Sequence, residues 1–564
     1  MQYAEFVGLY EKLAGTTKKL EKRDILAEFL KKLQKNGRKE WIYLLRGKVY
    51  ADYDSREFGI STQLVIKGIG VAFGINQEEV VEQFKKKGDL GDIAEFYADK
   101  RKQNTLFSKK LSVQKVFENL RKIMEIEGKG SVDRKMQLMA ELLTSASGKE
   151  AKYIIRTLLN DLRVGVADAI LIDSINSAFF AGEENIQNIL EEKYDLANDS
   201  ALIFEVAAKG IEKVKDIEIE PGRPLKAMLA VKAEDIEDAF RICGIPAAIE
   251  YKYDGFRMLV NKDKQGRISL FTRKLENVTK QFPDIVSNVL KNVKGKSFIL
   301  DSEVVGFDPK TKKYKPFEAI SQRIKRKYDI DKTLGELPVE INIFDVIYLD
   351  GINLMDKPFL ERRKFLEKIV KKEELKIRPA EQIIAQNEKE ALAFYEKALK
   401  IGEEGIMIKK LDAPYKAGRR VGYMAKLKPN VKDLDLVIVG AEYGTGKRAG
   451  WLTSYIVACR KENEFLEIGK VSSGLKEKEE EGVTYNEMTK LLKPLITDES
   501  GNGIKVKPKV VVSVTYQNIQ KSPSYGSGYA LRFPRITAYR SDRNTGDIAG
   551  LDEIRKEAKR MLRK

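Results

Sequence analysis

Eight residues, Glu250 to Arg257 (EYKYDGFR), hold the most reactive arrangement in the chain: Lys252, Asp254, Gly255 and Arg257 in the order K-x-D-G-x-R. A primary amine is the only strong nitrogen nucleophile among ordinary side chains, but with a reference pKa of about 10.4 it is almost wholly protonated at neutral pH. It becomes a nucleophile only where burial or neighbouring cations disfavour its charge. The Asp-Gly pair predicts a tight reversal in which Gly255 takes positive φ, a hairpin that returns Arg257 alongside Lys252. An amine beside a guanidinium suits attack on phosphorus. The other reading of the stretch is a hairpin with solvated charges, since such a short match arises by chance in on the order of a few per cent of chains this long.

Two further charged pairs recur at strand spacing. Residues two apart on a strand share a face, which puts Asp301 with Glu303 in SFILDSEVVGF and Lys426 with Lys428 in YMAKLKP. Each pair ends an apolar run and would be costly to bury without a charged ligand. A triphosphate with a divalent cation satisfies both pairs; a solvated strand end explains either one alone. No histidine occurs anywhere, which removes Ser-His-Asp and Cys-His catalysis, His bases and His-ligated metals. The two cysteines, Cys243 and Cys459, are too few for a structural zinc or a disulfide framework.

The elements that must position these groups fall into three stretches, as expected of 564 residues at roughly 150 per domain. From 1 to about 220, apolar residues recur at helical spacing, as in Phe6, Leu9, Tyr10 and Leu13, which predicts an all-α domain. Three lead-ins there, GKGSVDRK, SASGKEAKY and DLRVGVADA, read either as helix starts capped by Ser131, Ser147 and Asp161 or as backbone grips on phosphate. PGRPLKAMLA, from Pro221, looks like a linker into a mixed, largely antiparallel α/β domain at 221–429. From 430 to 564, short strands predict a small β-barrel of the oligonucleotide-binding (OB-fold) kind. GTGKRAG in it is no nucleotide loop and suits a basic loop against nucleic acid. The last residues, LDEIRKEAKRMLRK, form an amphipathic basic helix, either docked between domains or a solvated end. A net charge of +18 points to a polyanionic partner. The longest apolar runs are strand-length, so a soluble protein without membrane attachment is expected, in a reducing cytoplasm. The amphipathic start, MQYAEFVGLYEKL, does not resemble a secretory signal.

The K-x-D-G-x-R stretch resembles the active-site motif of the covalent nucleotidyltransferases, and the ordered motifs around it are similar to those of ATP-dependent DNA ligases of the archaeal and eukaryotic replicative type. DLRVGVADAILIDSI resembles their helical DNA-binding domain. That resemblance implies adenylation of Lys252 by ATP, with Glu250 reading the adenine amine, Phe344 stacking on the base, and Arg257 and Arg273 near ribose and phosphate. It implies Glu303 at the ribose, Glu404 supporting Mg2+ and Lys409 closing its strand. Arg420, Lys426 and Lys428 would reach the phosphates; Arg419 beside Arg420 leaves the choice between them to spacing, which favours Arg420. Met424 stands where the family has a bulky aromatic, next to Tyr423. ALRFPRITAYR matches the last ligase signature and implies Arg532 and Arg535 as ligands of the leaving pyrophosphate on a domain that closes and opens. QNTLF, from Gln103 to Phe107, resembles a sliding-clamp-binding segment; the alternative is that Leu106 and Phe107 pack inward.

The resemblance implies a monomer that joins nicks in double-stranded DNA during replication, repair and recombination, close to the nucleoid. Two other readings stay open. An RNA ligase or capping-type enzyme would share Lys252 without needing the helical domain. A non-catalytic, clamp-bound DNA scaffold would explain the charge but not the nucleophile. NAD is disfavoured as cofactor, because bacterial NAD-dependent ligases carry a cysteine zinc module that two cysteines cannot build.

Overall fold

The structure, a computed structural model, describes residues 1–562 except 55, 101–109, 316, 318–319, 321–322, 325–334, 430–432, 445–447, 449, 478–482 and 501–502. Gln103 and Phe107, and most of GTGKRAG, lie outside the described residues. The chain divides into two compact units, Met1–Ala398 with Glu404–Leu427, and Leu399–Glu403 with Lys428–Lys564.

The first unit opens with helices from Tyr3–Ala14 to Ile211–Lys215. Periodicity explains them. In Val113–Glu125 the residues Val113, Val116, Phe117, Leu120 and Ile123 fall on one buried stripe, and Ser112 caps the helix by accepting from the Lys115 amide at 3.2 Å. The three glycine-rich or basic lead-ins differ from one another. Ser147 caps Gly148–Leu158 in a box with Glu150. Ser131 is no cap: its helix starts from Gly130 in the left-handed region. Asp161 starts no helix, since the next one begins at Asp168, and its carboxylate pairs with Arg163 instead.

One ion cluster in these helices is built well enough to titrate. Asp89 is buried, 2.9 Å from Arg156 and paired with Arg163. Burial alone would push its carboxyl up, but the two guanidiniums outweigh it and hold the group below the ordinary range. A depressed folded pKa stabilises above the unfolded value, about 3.9, and that stability is lost as pH falls through the folded one. Asp89→Asn is therefore expected to cost about 2 kcal/mol near neutrality, from lost charge-assisted hydrogen bonds, and nothing once the wild-type carboxyl is protonated. Helix melting followed by circular dichroism at pH 7 and below pH 3 checks it; an equal loss at both refutes the assignment.

Two sheets follow. The first runs in the order β1 (Val231–Lys232), β12 (Met424–Leu427), β11 (Gly405–Lys410), β2 (Ala247–Lys252), β10 (Gln382–Ala385). The second runs β4 (Ile268–Thr272), β3 (Phe256–Lys262), β5 (Phe298–Phe307), β7 (Val339–Leu349), β8 (Ile352–Asn353), with β6 (Tyr314–Lys315) on β5 and β9 (Ile377–Pro379) on β7. The pairings are antiparallel apart from β1 with β12 and β7 with β9, as the mixed antiparallel expectation required. Helices Ile236–Cys243 and Glu388–Lys400 cover the first sheet through Ala239, Phe240, Ala391 and Phe394. Pro283–Asn292 and Phe359–Ile369 cover the second through Ile285, Val289, Leu366 and Ile369. Between the sheets, Leu259, Ile299 and Ile347 meet Met407 and Met424.

Two expectations about connections fail here. β2 and β3 form no hairpin: β2 pairs with β10 and β11, β3 with β4 and β5, so Asp254-Gly255 is the crossing from one sheet to the other. Gly255 does not have positive φ; it is small because a Cβ would collide with the Val304 carbonyl of β5. The stretch after Pro221 is likewise no free linker. It lies along the segment 415–419, with Gly418 N donating to Lys226 O at 3.1 Å and Leu229 N to Arg419 O at 3.0 Å.

The second unit is strand-rich. β13 (Leu434–Tyr443) is its centre, flanked on one side by β14 (Leu452–Lys461) and β15 (Glu464–Val471). Bulges at Ile438/Gly440 and Glu442/Tyr443 accompany a split of its other edge between β17 (Gly503–Val506) and β18 (Val511–Thr515). β16 (Ile496–Ser500) extends β17, β21 (Arg535–Tyr539) extends β18, and β19 (Asn518–Lys521) pairs with β20 (Tyr529–Arg532) alone. Among the described residues no pairing closes this sheet into a barrel. The C-terminal helix Leu551–Leu562 docks on its own unit through Leu551, Ile554 and Ala558, so it is not a wholly solvated end. Among the described residues no helix is long and apolar enough to cross a membrane.

Candidate active site

Lys252 ends β2, and its ammonium lies 2.7 Å from Glu404, held opposite because Glu404 N donates to Lys252 O at 2.9 Å. Burial pushes this amine towards neutrality, but Glu404, Glu303 and Asp254 outweigh it and the pKa rises. The expectation that cations would crowd Lys252 is thus corrected: its neighbours are carboxylates. Glu303 shares the field. Desolvation, with Glu404 and Asp301, pushes it up to about 7 against the opposing pull of Lys252 and Arg257.

Arg257 turns away from the amine to Asp301. Its Nε and Nη2 grip the two carboxylate oxygens at 2.8 and 2.5 Å, and Nη1 donates to Met228 O at 2.6 Å. Asp301 and Glu303 do share a face, sitting opposite Leu259 and Arg257 in the β3 register. They are not a matched pair, however: Asp301 is held in the two-pronged grip of Arg257, whereas Glu303 shares the field of Lys252 and Glu404.

A polar row crosses the first sheet: Gln382, Glu250, Met407 and Lys426 are register partners on β10, β2, β11 and β12. Glu250 is buried, accepts from Gln382 at 2.8 Å and pairs with Lys409 at 2.7 Å. The Lys409 ammonium lies 4.4 Å from the Phe344 ring centre and 4.7 Å from that of Phe359; Arg257 lies 5.4 Å from Phe344. Arg257, Phe344, Lys409, Met228, Tyr423 and Met424 line one cleft.

The remaining predicted residues are more dispersed. Arg419 is tied to Glu191 at 2.8 Å, whereas Arg420 is exposed, and so is Arg273, one residue past β4. Lys428 follows β12 directly. In the second unit Arg532 is buried in β20, and Arg535 is exposed at the start of β21. Phe533 between them is 67% exposed with a left-handed backbone.

Among the described residues no three carboxylates or thiolates gather into a metal site. The half-buried Glu404 and Glu303 stand in one field with Lys252, and such a set fits a hard divalent cation that takes its other ligands from phosphate and water.

The family model described as "ATP dependent DNA ligase domain" matches residues 227–428, "DNA ligase N terminus" matches 2–176, and "ATP dependent DNA ligase C terminal region" matches 448–543. The chain belongs to the ATP-dependent DNA ligase family. Among curated relatives, the DNA ligase of Nanoarchaeum equitans is 46% identical over 559 residues, covering 98% of both chains. The DNA ligase of Thermococcus fumicolans is 41% identical over 557 residues, again 98% of each. The solved structure named Pmar-Lig_PreS3 is 18% identical with a TM-score of 0.58, over 95% of this chain and 99% of that one, a likeness of fold.

Several groups in this ligase-family site escape a reading of the sequence. Tyr415, buried against Asp301 and Arg257, stands in a loop with no local pattern. Asp345 and Arg362 form a buried bidentate pair at 2.8 and 3.0 Å. A signal existed for that pair: a carboxylate inside the apolar strand FDVIYL, and an arginine whose helical neighbours Phe359 and Leu366 face the core.

Proposed function

We propose that this chain seals nicks in double-stranded DNA at the expense of ATP, working as a monomer with domains at 1–220, 221–429 and 430–564. Neutral Lys252 Nζ attacks the α-phosphorus of ATP; a P–N bond forms, the bond to the β-bridging oxygen breaks, and pyrophosphate leaves. AMP then passes to the 5′-phosphate at the nick and the amine is regenerated. The 3′-hydroxyl attacks that activated phosphate, a phosphodiester forms, and AMP departs. The observation that carries this reading is the half-buried Lys252–Glu404 pair, 2.7 Å apart, inside the segment that matches the ligase domain.

Each residue's part follows from its chemistry. Glu250 and Lys409 offer an acceptor beside a donor, which complements the N6 amine and N1 of adenine, while the Phe344 ring supplies a stacking face. Glu303 suits the ribose hydroxyls. Arg257, Arg273, Arg420, Lys426 and Lys428 supply positive charge to the phosphates. Glu404 would hold Mg2+ together with phosphate oxygens, and the ion would neutralise charge on the triphosphate. Most of the acceleration then comes from positioning and electrostatics.

The helical segment is the DNA grip and the strand-rich unit an OB-fold module, with Gln103 and Phe107 as the sliding-clamp contact. Such a protein works where the chromosome is, at the nucleoid. Incubation with α-labelled ATP and a nicked duplex is the test. Label bound covalently to protein, then released as AMP on sealing, is the expected outcome; label that never becomes covalent refutes the reading.

Arg535, with Arg532, acts on the leaving pyrophosphate. Arg535→Ala is therefore expected to slow self-adenylation at least about tenfold, and to spare sealing of a pre-adenylated nick. Equal slowing of both steps in single-turnover assays removes the assignment.

A further inference from the structure

One hydroxyl in the core is saturated by groups from three distant parts of the chain. Tyr415 is buried, and its OH donates to Asp301 at 2.7 Å. The same oxygen accepts from Met228 N at 3.1 Å and from Arg257 Nη2 at 3.4 Å. A hydroxyl has one hydrogen and two lone pairs, so all of its capacity is used. What it holds matters for the nucleotide. Asp301 takes Nε and Nη2 of Arg257, and Met228 O takes Nη1, so the guanidinium plane is fixed by two oxygens of a carboxylate and one of the backbone. Tyr415 bonds to the residues that supply all three. Arg257 in turn stands 5.4 Å from the ring of Phe344, in the cleft it shares with Lys409 and Met228.

The strap formed by the residues after Pro221 gains its purpose from this junction. Met228 N and O both end on it, Lys416 N reaches Met228 Sδ at 3.4 Å, and Tyr415 N donates to Met355 O at 2.7 Å. Without the hydroxyl, Met228 N loses its acceptor and Asp301 one donor, in a site where unpaired polar groups are expensive. The strap can then draw its carbonyl away from Arg257.

We propose that Tyr415 is a positioning residue for nucleotide binding, its hydroxyl fixing the strap and Asp301 so that Arg257 meets the nucleotide in one orientation. This rests on the ATP-dependent reading given above. The test is steady-state nick sealing by the full chain at saturating nicked duplex and varied ATP, with Tyr415→Phe, which keeps the buried ring. KM for ATP is expected to rise about tenfold with kcat within about twofold and an unchanged circular-dichroism spectrum. In an Arg257→Lys background, where a single ammonium replaces the fork, the same change should alter KM by less than about twofold. An unchanged KM in the single variant, or an undiminished effect in the Arg257→Lys background, overturns the proposal. Failure of the wild-type chain to become adenylated overturns the underlying function instead, so the two failures are distinguishable.

Discussion

Lys252→Ala is expected to leave no covalent label after incubation with α-labelled ATP, and to lower nick sealing from ATP by on the order of 10⁴-fold or more, the scale for loss of a nucleophile. The magnitude follows from what the site lacks. There is no histidine, and both cysteines are buried with their thiols pushed up to about 11 by burial, so neither an imidazole nor a reactive thiol can take over the attack. Lys409, an amine that lines the cleft beside Phe344, is committed to Glu250 and lies against two phenyl rings. The same variant should still seal a nick that already carries AMP, because the final attack is made by DNA. Protein label that survives the substitution would move the nucleophile elsewhere. In the free protein Glu404, Glu303 and Asp254 keep the Lys252 ammonium charged, the opposite of what a waiting nucleophile needs. Attack by a neutral amine requires that field to change, and redirection of Glu404, the residue proposed to hold Mg2+, would free Lys252.

The helices and most strands of this ligase-family chain were legible because their signals are local. Phe6, Leu9, Tyr10 and Leu13 are all buried, as their 3.6-residue spacing demands, and the alternation in EYKY and MAKL places Glu250 with Lys252, and Met424 with Lys426, on single faces. Pairing is a different matter. Asp-Gly between two apolar runs is a good hairpin signal, yet β2 takes its partners from the distant strands β10 and β11 and β3 takes β4 and β5, so the two never meet each other. Gly255 answers to the Val304 carbonyl, a neighbour that turn chemistry cannot anticipate. A hairpin would set Arg257 beside Lys252; because the strands part into two sheets, the buried Asp301 takes it by a two-pronged contact. Alternation likewise announced the strands of the second unit but says nothing about closure, which depends on edge strands meeting. The strap departs from a free linker for a related reason: proline and glycine mark where regular structure stops, not whether the chain that follows is bound.

The largest loss of stability is expected at the pair that the motifs ignored. Asp345 and Arg362 are almost fully enclosed, and the guanidinium also donates to the carbonyls of Lys357 and Ala413, so that its donors are largely spent within the core. Ion pairs of this kind add little over an apolar replacement of both partners, but removing one partner strands the other charge at a cost of about 3–5 kcal/mol. Arg362→Met should therefore destabilise the first unit by about that amount, seen as a lower denaturant midpoint at unchanged slope. Arg362→Met with Asp345→Leu should recover most of the loss, because no charge is then left without a partner. The pair sits under Phe344 and the cleft, so the single variant should also weaken nucleotide binding at temperatures where it remains folded. A double variant no more stable than the single one would show that packing around Arg362, and not the stranded carboxylate, sets the cost.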